Sequence, residues 1–271
     1  MKRAYVDIPE GQMHYRHAGS GTPVIMLHMS GSHSAEWEKV SAILSTKGFS
    51  CYAIDMPGFG FSDPPPRFSF NDHYSLTDYS NCVISFMDAM GIEKALFIAN
   101  LVGANITVLT TLRNPERVLG FQVADFCYYA SNPDYKKQLR ANPLFSQIIP
   151  DKDGTHAMEF WKRVNMFGDE PADQNFRFVG MVLAGEGCEA LHWALFQEDL
   201  YTDRFCEIKC KAVFAAAEKF NRVDIAKTVT SLVPGAHFEL LKGASPYANI
   251  THPEMVANVF LKHFTPGRGC S

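Results

Sequence analysis

Short apolar runs recur along the chain, each bounded by turn residues and without alternation of polar and apolar positions. Runs of this kind are typical of strands that are buried on both faces of a parallel sheet. They are Val24–His28, Cys51–Asp55, Ala95–Ala99, Gly120–Asp125 and Ala212–Ala216. Helical patterns lie between these runs and predict helices over Ser34–Lys47, Leu76–Met90, Ala104–Arg113 and Pro253–Phe264. Strands that alternate with helices predict an α/β sheet with helices on both faces.

Residues 131–204 have a different character. This segment is rich in aromatic and charged residues, contains no clear run for a buried strand, and predicts several helices. It lies between the strand that ends at Asp125 and the strand near Ala212, which predicts a lid over the carboxyl edge of the sheet, where open α/β sheets bind ligands. We therefore predict a core of residues 1–130 and 205–271 and an inserted helical lid of residues 131–204.

The composition narrows the classes of partner. The chain has 271 residues, of which 46% are hydrophobic, enough for one large α/β core with an insertion. The net charge is −4 and no run of Lys or Arg occurs, so nucleic acid and anionic membranes are poor partners and a small molecule is expected. The composition and charge do not decide the oligomeric state, and they are compatible with a homodimer.

The sequence also bears on location and cofactors. Residues 1–12 contain no apolar segment of the kind found in secretory signals, and no apolar run reaches about 18 residues, the length that crosses a bilayer. The seven cysteines are scattered, which is typical of reduced thiols, and we expect a cytoplasmic protein. No glycine-rich phosphate loop or dinucleotide fingerprint is present, and Cys206 and Cys210 lack further ligands, so we expect neither a cofactor nor a metal.

Three motifs together resemble the α/β-hydrolase superfamily. His28–Gly31 resembles its H-G-x-G oxyanion loop. Asp55–Asp63 closely resembles its D-x-P-G-x-G-x-S loop, and Asn114–Val118 resembles the segment that follows its nucleophile helix. The resemblance covers about residues 10–125 and 205–265. It implies the α/β-hydrolase fold, a mostly parallel twisted sheet with helices on both faces and an inserted helical lid.

The resemblance also locates three positions at which catalytic side chains would stand, and each is apolar here. The usual G-x-S-x-G nucleophile elbow corresponds to Ala99–Gly103, with Leu101 in place of the serine. The turn that carries the family's acid has Phe220 in that place, and the turn that carries its histidine has Ala244 or Pro246, depending on the alignment. Since a Ser-His-Asp mechanism needs nucleophile, base and orienting acid together, the resemblance implies a hydrolase scaffold with a degenerate triad.

Two features of the predicted elbow do not depend on polar side chains. By the resemblance, the backbone amides of Ser30 and Val102 would form an oxyanion hole, with Met29 in place of a usual glycine; the alternative is a loop that is only a packed turn. The elbow residue is often held at positive φ, a strained conformation that costs on the order of 1–3 kcal/mol. Leu101 then either lines the floor of an apolar pocket, which we favour, or fills the former site as core.

Histidines are the candidates for acid–base chemistry, because imidazole titrates near neutral pH. His33 lies near the expected site entrance, and His192 lies in the lid beside Trp193. The predicted catalytic residues are His33, His192, Ser30 and Asp125. The predicted substrate-binding residues are His28, Trp37, Asn100, Leu101, Val102, Tyr128, Trp193, Phe220 and Tyr247. Each has a structural alternative, such as a core histidine, a helix cap, a turn residue or an aromatic residue of the lid interior.

Three functions fit this pattern. The first, which the sequence favours, is a cofactor-independent, non-hydrolytic enzyme of lyase, isomerase or cyclase type that acts on a largely apolar, oxygenated small molecule in a lid-covered pocket. The second is a binding protein that holds an apolar ligand or a partner without turnover. The third is a hydrolase with a displaced catalytic group, such as Asp125 with His33 or His192 activating water.

Overall fold

The computed structural model describes residues 1–128, 134, 137–138, 141–164, 171–197 and 203–267. The strands in this part of the chain are β1 (Lys2–Ile8), β2 (Gly11–Gly19), β3 (Thr22–Leu27), β4 (Phe49–Ile54), β5 (Ala95–Asn100), β6 (Val118–Ala124), β7 (Lys211–Ala217) and β8 (His237–Leu241). They form one sheet with the order β1-β2-β4-β3-β5-β6-β7-β8. The pairs β1–β2 and β2–β4 are antiparallel, and the others are parallel.

Helices cover the sheet and fill the segment between β6 and β7. They are α1 (Glu38–Leu44), α2 (Leu76–Ala89), α3 (Leu101–Arg113), α4 (His156–Val164), α5 (Pro171–Ala184), α6 (Ala190–Gln197), α7 (Val223–Leu232), α8 (Ala248–Thr251) and α9 (Pro253–His263). No helix among the described residues is long and apolar enough to cross a membrane. α4, α5 and α6 lie where the lid was predicted, whereas the lid limits of 131–204 stay a prediction.

Alternate residues of the central strands face two different cores. In β3, Ile25 and Leu27 belong to one buried cluster, and Val24 and Met26 belong to another. The first cluster includes residues of α2, α3 and the lid helices, and the second includes residues of α1 and α9. Because both faces of the sheet are buried, the central strands are continuous apolar runs in the sequence. The predicted α/β architecture is confirmed.

The strand order reverses at β3, which pairs with β4 on one side and with β5 on the other. The loops that follow β3 and β5 therefore meet at the carboxyl edge of the sheet, beside the crevice that forms at such a switch point. These loops carry the predicted oxyanion segment, residues 28–31, and the predicted elbow at Leu101. The fold thus brings the two predicted parts of the site together.

The structure differs from the sequence prediction mainly at the margins of the sheet. The five predicted strands are present, each end within two residues of its predicted place. β1, β2 and β8 were not predicted, because each has exposed or half-exposed residues along its length and so lacks a continuous apolar run. The predicted helix Ser34–Lys47 is divided, since 3-10 turns at Ser34–Trp37 and Ser45–Lys47 flank α1.

Asp55, the first residue of the D-x-P-G-x-G-x-S loop, is fully buried and accepts three hydrogen bonds. Its Oδ1 accepts from the Ser34 backbone N–H at 2.5 Å. Its Oδ2 accepts from the Phe61 backbone N–H at 2.9 Å and from His14 Nδ1 at 2.8 Å. A Cβ at Gly60, where φ is 57°, would collide with the carboxylate. The carboxylate therefore joins β2, the turn that precedes α1 and the loop that follows β4.

Protonation of Asp55 is expected to weaken the fold. Burial by itself would raise the pKa of Asp55, but the hydrogen bonds from His14 and Ser34 outweigh it and lower the pKa from 3.8 to about 2. Because the folded pKa lies below the unfolded one, the stabilisation is present above about pH 4 and is lost as the pH falls through about 2. We expect a loss of about 2 kcal/mol in the free energy of unfolding, measured with urea at a series of pH values.

Two variants separate this effect from general acid denaturation. Asp55→Asn should be less stable than wild type at pH 7 and should show a shallower loss of stability between about pH 5 and pH 2. Asp72→Asn is the matched control, because the Asp72 carboxylate is 68% exposed. An unchanged acid dependence in Asp55→Asn would show that another group carries the transition.

Leu101 lies at the turn between β5 and α3 with a φ of 47°, in the left-handed region that leucine rarely adopts. The positive φ expected at the elbow is confirmed. Two residues later, a Cβ at Gly103 would stand 2.7 Å from the carbonyl oxygens of Leu27 and His28. The first turn of α3 therefore packs closely against the end of β3, and this contact keeps the turn sharp.

At Leu101 glycine should be better tolerated than alanine. Leu101→Ala and Leu101→Gly both remove the side chain, but only glycine adopts a φ of 47° without strain. We expect the free energy of unfolding of Leu101→Gly, measured with urea, to be about 1 kcal/mol higher than that of Leu101→Ala. Ala104→Gly, inside α3, is the control. Its free energy of unfolding should fall by about 1 kcal/mol, because glycine destabilises the interior of a helix by that amount. If Leu101→Ala is as stable as Leu101→Gly or more stable, the turn is not strained.

Candidate active site at the carboxyl edge of the sheet

An apolar cluster lies beside the elbow. Met29, Tyr247 and Ile250 are buried together, and Leu101 and Phe176 pack against them. We call these five residues the Leu101 cluster. Leu101 is half-buried and also packs against the large core cluster under α2 and α3. The side chain at the elbow is thus part of a continuous apolar surface formed by the loop after β3, the lid and the region of α8.

The lid helix α5 lies directly on the loop that follows β3. A Cβ at Gly180 would be 2.9 Å from the Gly31 carbonyl oxygen, and a Cβ at Gly31 would be 2.9 Å from Met181 Cγ. The Ser30 hydroxyl donates to the Cys188 carbonyl oxygen at 2.9 Å. The Ser30 side chain therefore attaches the loop to the lid, and its catalytic use and the oxyanion role of its backbone amide stay predictions.

Arg177 places a positive charge under the lid. Its side chain is buried, its guanidinium carbon lies 4.1 Å from the centre of the Tyr247 ring, and its Nη1 donates to the Val164 carbonyl oxygen at 3.2 Å. A desolvated arginine over an aromatic face contributes about 2 kcal/mol. The sequence analysis missed Arg177, because an arginine in a predicted helix is usually exposed and only the docking of α5 buries it.

His28 holds two loops together. It is fully buried, its Nδ1 donates to the Met29 carbonyl oxygen at 2.7 Å, and its Nε2 accepts from the Met56 N–H at 3.0 Å. Burial lowers the pKa of His28, which keeps the ring neutral. Because both ring nitrogens bind backbone groups, His28 has a structural role, and its contact with substrate stays a prediction.

The His33 ring contacts the Leu101 cluster at Phe176, which lies on the lid helix α5. Its ring centre lies 4.4 Å from that of Phe176, and its Nδ1 accepts from the Ala35 N–H at 3.4 Å. Burial lowers the pKa of His33 to about 4, although the negative charge of Asp55 opposes this shift. An imidazole with this pKa is neutral at pH 7 and accepts a proton poorly, so the predicted role of His33 as a base is not favoured by its surroundings.

His192 has a carboxylate partner within the lid. Its Nδ1 lies 2.5 Å from Glu189 Oε2, and Glu189 Oε1 lies 3.4 Å from Arg163 Nη1. The His192 ring also packs against Phe145, with ring centres 4.8 Å apart. A carboxylate that orients an imidazole is the arrangement that general-base catalysis uses. Glu189 was not predicted, although it stands three residues before His192, a spacing that places the two side chains on one face of a helix.

Other predicted contact residues serve the fold. Trp193 is buried, and its Nε1 donates to the Phe145 carbonyl oxygen at 2.7 Å. Tyr128 is half-buried and packs against Phe205. The Val102 side chain is fully buried in the core, which leaves its backbone amide for the predicted oxyanion hole. Among the predicted aromatic contact residues, Tyr247 lies beside Leu101.

Asn100 and Trp37 face an internal cavity of about 10 Å³ behind the elbow, together with Gln122. Among the described residues, Asn100 Oδ1, Trp37 Nε1 and Gln122 Oε1 are buried without a hydrogen-bond partner. Asn100 Nδ2 donates to Asn249 Oδ1 at 3.3 Å. One donor and two acceptors around a space of this size suit a single water molecule. Asn100 and Trp37 thus have a structural role in this arrangement, and their contact with substrate stays a prediction.

The two turns that the resemblance assigns to the acid and the histidine are neighbours. The Lys219 N–H donates to the Ala244 carbonyl oxygen at 3.0 Å, and Glu218 Oε2 accepts from the Gly243 N–H at 2.7 Å. Phe220 packs against the second core cluster, the one that contains α1 and α9. Phe220 thus has a packing role on the face of the sheet that carries α1 and α9, and its contact with substrate stays a prediction.

Asp125 ends β6 with a φ of 53°, and its Oδ1 accepts from the Ala217 N–H at 2.9 Å. Burial raises the pKa of Asp125 to about 7, although the hydrogen bond from Ala217 opposes the shift. The hydrogen bonds described for Asp125 reach Ala215, Ala217 and Cys127, so the predicted pair of Asp125 with His33 or His192 is not assembled. The described residues also contain no group of three or more His, Cys, Asp or Glu suited to a metal ion.

Glu36 is a buried acid that the sequence analysis missed. Its side chain is 2% exposed, and its Oε2 accepts from the Ser32 hydroxyl at 2.5 Å. Burial raises the pKa of Glu36 to about 8, against the hydrogen bond from Ser32 and the charge of Arg177. A carboxyl group that is neutral at pH 7 donates a hydrogen bond. A glutamate at the start of a predicted helix is typically exposed, so the sequence carried no signal for its burial.

Known proteins resemble this chain in sequence and in fold. Residues 22–126 match the family described as alpha/beta hydrolase fold. The chain is 29% identical over 148 residues to bifunctional epoxide hydrolase 2 of Sus scrofa, and 29% identical over 150 residues to a haloalkane dehalogenase of Mesorhizobium japonicum. Each match covers 54% of this chain, but only 26% of the pig protein and 46% of the dehalogenase. The matched part thus spans less than half the length of either relative.

The likeness to solved structures extends over nearly the whole chain. An esterase of Thermogutta terrifontis superposes with a TM-score of 0.80 over 97% of both chains, at 15% sequence identity. At that identity the likeness concerns the fold. Together with the strand order and the matched family segment, it shows that this chain has the α/β-hydrolase fold.

Proposed function

We propose that this protein binds a largely apolar, oxygenated small molecule at the Leu101 cluster, beneath the helical lid, without forming a covalent bond to it. The observation that carries the proposal is the elbow, whose sharp turn is kept while the side chain presented there is a leucine. Leucine has no lone pair with which to attack an electrophile. It offers instead an apolar surface at the place where ligands of this architecture bind.

The surroundings of Leu101 support a bound apolar molecule. Met29, Phe176 and Ile250 add apolar surface from three segments of the chain. Burial of apolar area contributes about 25 cal/mol per Å². The backbone amides of Ser30 and Val102, in the place of the family's oxyanion donors, are suited to a ligand oxygen. The helix α5 packs closely on Gly31, which supports a site that is covered by the lid and not open to solvent.

We expect a molecule of low polarity to bind to the wild-type protein from a host-cell extract, detected by native mass spectrometry. Leu101→Asn should weaken that binding about tenfold, because it places an amide in apolar surroundings. Asparagine is close to leucine in size and tolerates positive φ, so the turn should persist. Leu232→Asn on α7, where Leu232 is 41% exposed, is the control and should bind normally. Equal binding by Leu101→Asn would place the ligand elsewhere.

A second candidate function is cofactor-independent proton transfer of the lyase or isomerase type. One observation favours it, the pair of His192 with the buried carboxylate of Glu189. A base oriented in this way moves a proton on a bound substrate without a nucleophile. The relatives named above are hydrolases, so this candidate rests on the pair and not on the comparisons.

Turnover of the bound molecule tests this candidate. We expect His192→Gln to lower turnover by about 10²–10⁴-fold, the usual contribution of a general base. His156→Gln is the matched control, because His156 is also a lid histidine beside a carboxylate, that of Asp151. The product is identified by mass: an unchanged mass means isomerisation, and loss of a fragment without added water means a lyase.

Two results would overturn the candidate. Full turnover by His192→Gln would remove the proposed base. Addition of water to the substrate, abolished by Asp125→Asn, would establish hydrolysis by a displaced group, because asparagine keeps the hydrogen bond to the Ala217 N–H but not the carboxylate.

A further inference from the structure

Strand β1 lies at one end of the sheet and is paired on one side only. It forms a hairpin with β2, in which Ile8 faces Gly11 and Lys2 faces His17. Among the described residues no strand pairs with its outer side. An unpaired strand edge presents backbone N–H and C=O groups to which another strand can bind. The outer side of β1 is therefore a candidate interaction surface.

The hydrogen bonds of β2 show which backbone groups of β1 point outward. The His14 carbonyl oxygen accepts from the Asp55 N–H, on the side of β2 that faces away from β1. Because backbone groups alternate in direction along a strand, those of the next residue, Tyr15, point to β1, where they meet Ala4. The same alternation in β1 directs the backbone groups of three residues outward. We call these residues the β1 edge: Arg3, Tyr5 and Asp7.

The side chains of the β1 edge are exposed and lie on one face of the sheet. Tyr5 is 51% exposed, and its ring centre lies 5.1 Å from that of His14. The His14 ring centre lies 5.4 Å from that of Phe61, which is 47% exposed. Two exposed aromatic side chains thus adjoin the open edge. Aromatic residues are enriched where one protein contacts another.

We propose that two copies of this chain associate through the β1 edge, in an antiparallel strand pair centred on Tyr5, and so join their sheets into one. In this register Tyr5 faces Tyr5 of the second copy, and Arg3 faces its Asp7. Each facing pair of outward residues exchanges two backbone hydrogen bonds, which gives about six in all. Facing aromatic side chains add to the stability of such a pair.

The charges of the β1 edge match this register. Arg3 lies opposite Asp7 of the second copy, and Asp7 lies opposite its Arg3, so the twofold contact contains two pairs of opposite charge. Within its own chain Arg3 lies opposite Arg16, which pairs with Glu38. No carboxylate among the described residues forms an ion pair with Arg3. The second copy thus supplies the counter-charge, whereas registers centred on Arg3 or on Asp7 would bring like charges together.

The other end of the sheet is less suited to the same contact. β8 has five residues, and antiparallel pairing about its centre would place Glu239 opposite Glu239 of the second copy. Like charges that face each other destabilise a strand pair. Glu239 is also already paired with Lys262 and His263. β1 is therefore the end of the sheet at which a second copy fits, and this inference does not depend on any ligand of the Leu101 cluster.

Sedimentation velocity of the untagged protein over a range of concentrations measures the association. We expect a monomer–dimer equilibrium with a dissociation constant on the order of 10 μM, since two short strands form a small interface. Arg3→Asp and Asp7→Arg each create two facing pairs of like charge and should weaken the dimer about tenfold. Lys94→Asp is the matched control, because it makes the same charge change as Arg3→Asp at an exposed position before β5. It should dimerise like the wild type.

A mixture of the two weakened variants tests the register. Arg3→Asp has acidic residues at positions 3 and 7, and Asp7→Arg has basic residues at both. In a mixed dimer both facing pairs therefore join opposite charges. We expect the equimolar mixture to dimerise with about the affinity of the wild type, although each variant alone does not. The double variant Arg3→Asp/Asp7→Arg should also dimerise like the wild type, because it exchanges the two charges of each pair.

Three outcomes would overturn the proposal. The first is a wild-type protein that stays monomeric up to about 1 mM. The second is a dimer of undiminished affinity in Arg3→Asp, which would place the interface elsewhere. The third is a mixture of Arg3→Asp and Asp7→Arg that associates no better than either variant alone. Thermal unfolding of each variant shows that a lost dimer is not a lost fold.

Discussion

The buried carboxylate of Asp55 is the interaction on which the placement of the candidate site depends. A charge removed from water must have its acceptor positions filled, and here the donors come from β2, from the turn before α1 and from the loop after β4. These segments cannot shift independently while the charge is buried. The loop of residues 28–33 lies between β3 and that turn, so it is held over the crevice, and α5 rests on it through Gly31 and Gly180.

Burial near the crevice keeps several ionisable groups uncharged. The pKa of His33 falls to about 4, and the pKa values of Glu36 and Asp125 rise to about 8 and about 7. The two raised acids oppose Asp55 in their effect on stability: their contribution is complete below their unfolded pKa values and declines as the pH rises through 7 and 8. Arg177 is a buried positive charge beside Tyr247, so these neutral groups and this one cation together set the electrostatics around the Leu101 cluster.

The sequence was sufficient for the central sheet and for the meeting of the loops at Met29 and Leu101, because both depend on local patterns and on strand order. It did not predict β1, β2 or β8, whose partly exposed residues lack an apolar run. It also did not predict Glu36 or Arg177, because their burial arises only when α5 docks on the loop after β3. Conversely, His28, Trp37 and Asn100 were chosen for their place in the chain, and their side chains turn to backbone groups or to the interior.

The conformation of Leu101 is set by the packing of the fold and not by the chemistry of its side chain. The turn stays in the left-handed region without a nucleophile to present, because the approach of α3 to β3 at Gly103 imposes it. The strain is therefore a property of how this fold closes a strand onto a helix. A polar side chain substituted at this position would therefore meet a turn that is already formed, so that different chemistry here requires a change of side chain and no rebuilding of the chain path. A sharp elbow in this fold accordingly reports how a strand closes onto a helix, and not which side chain it carries.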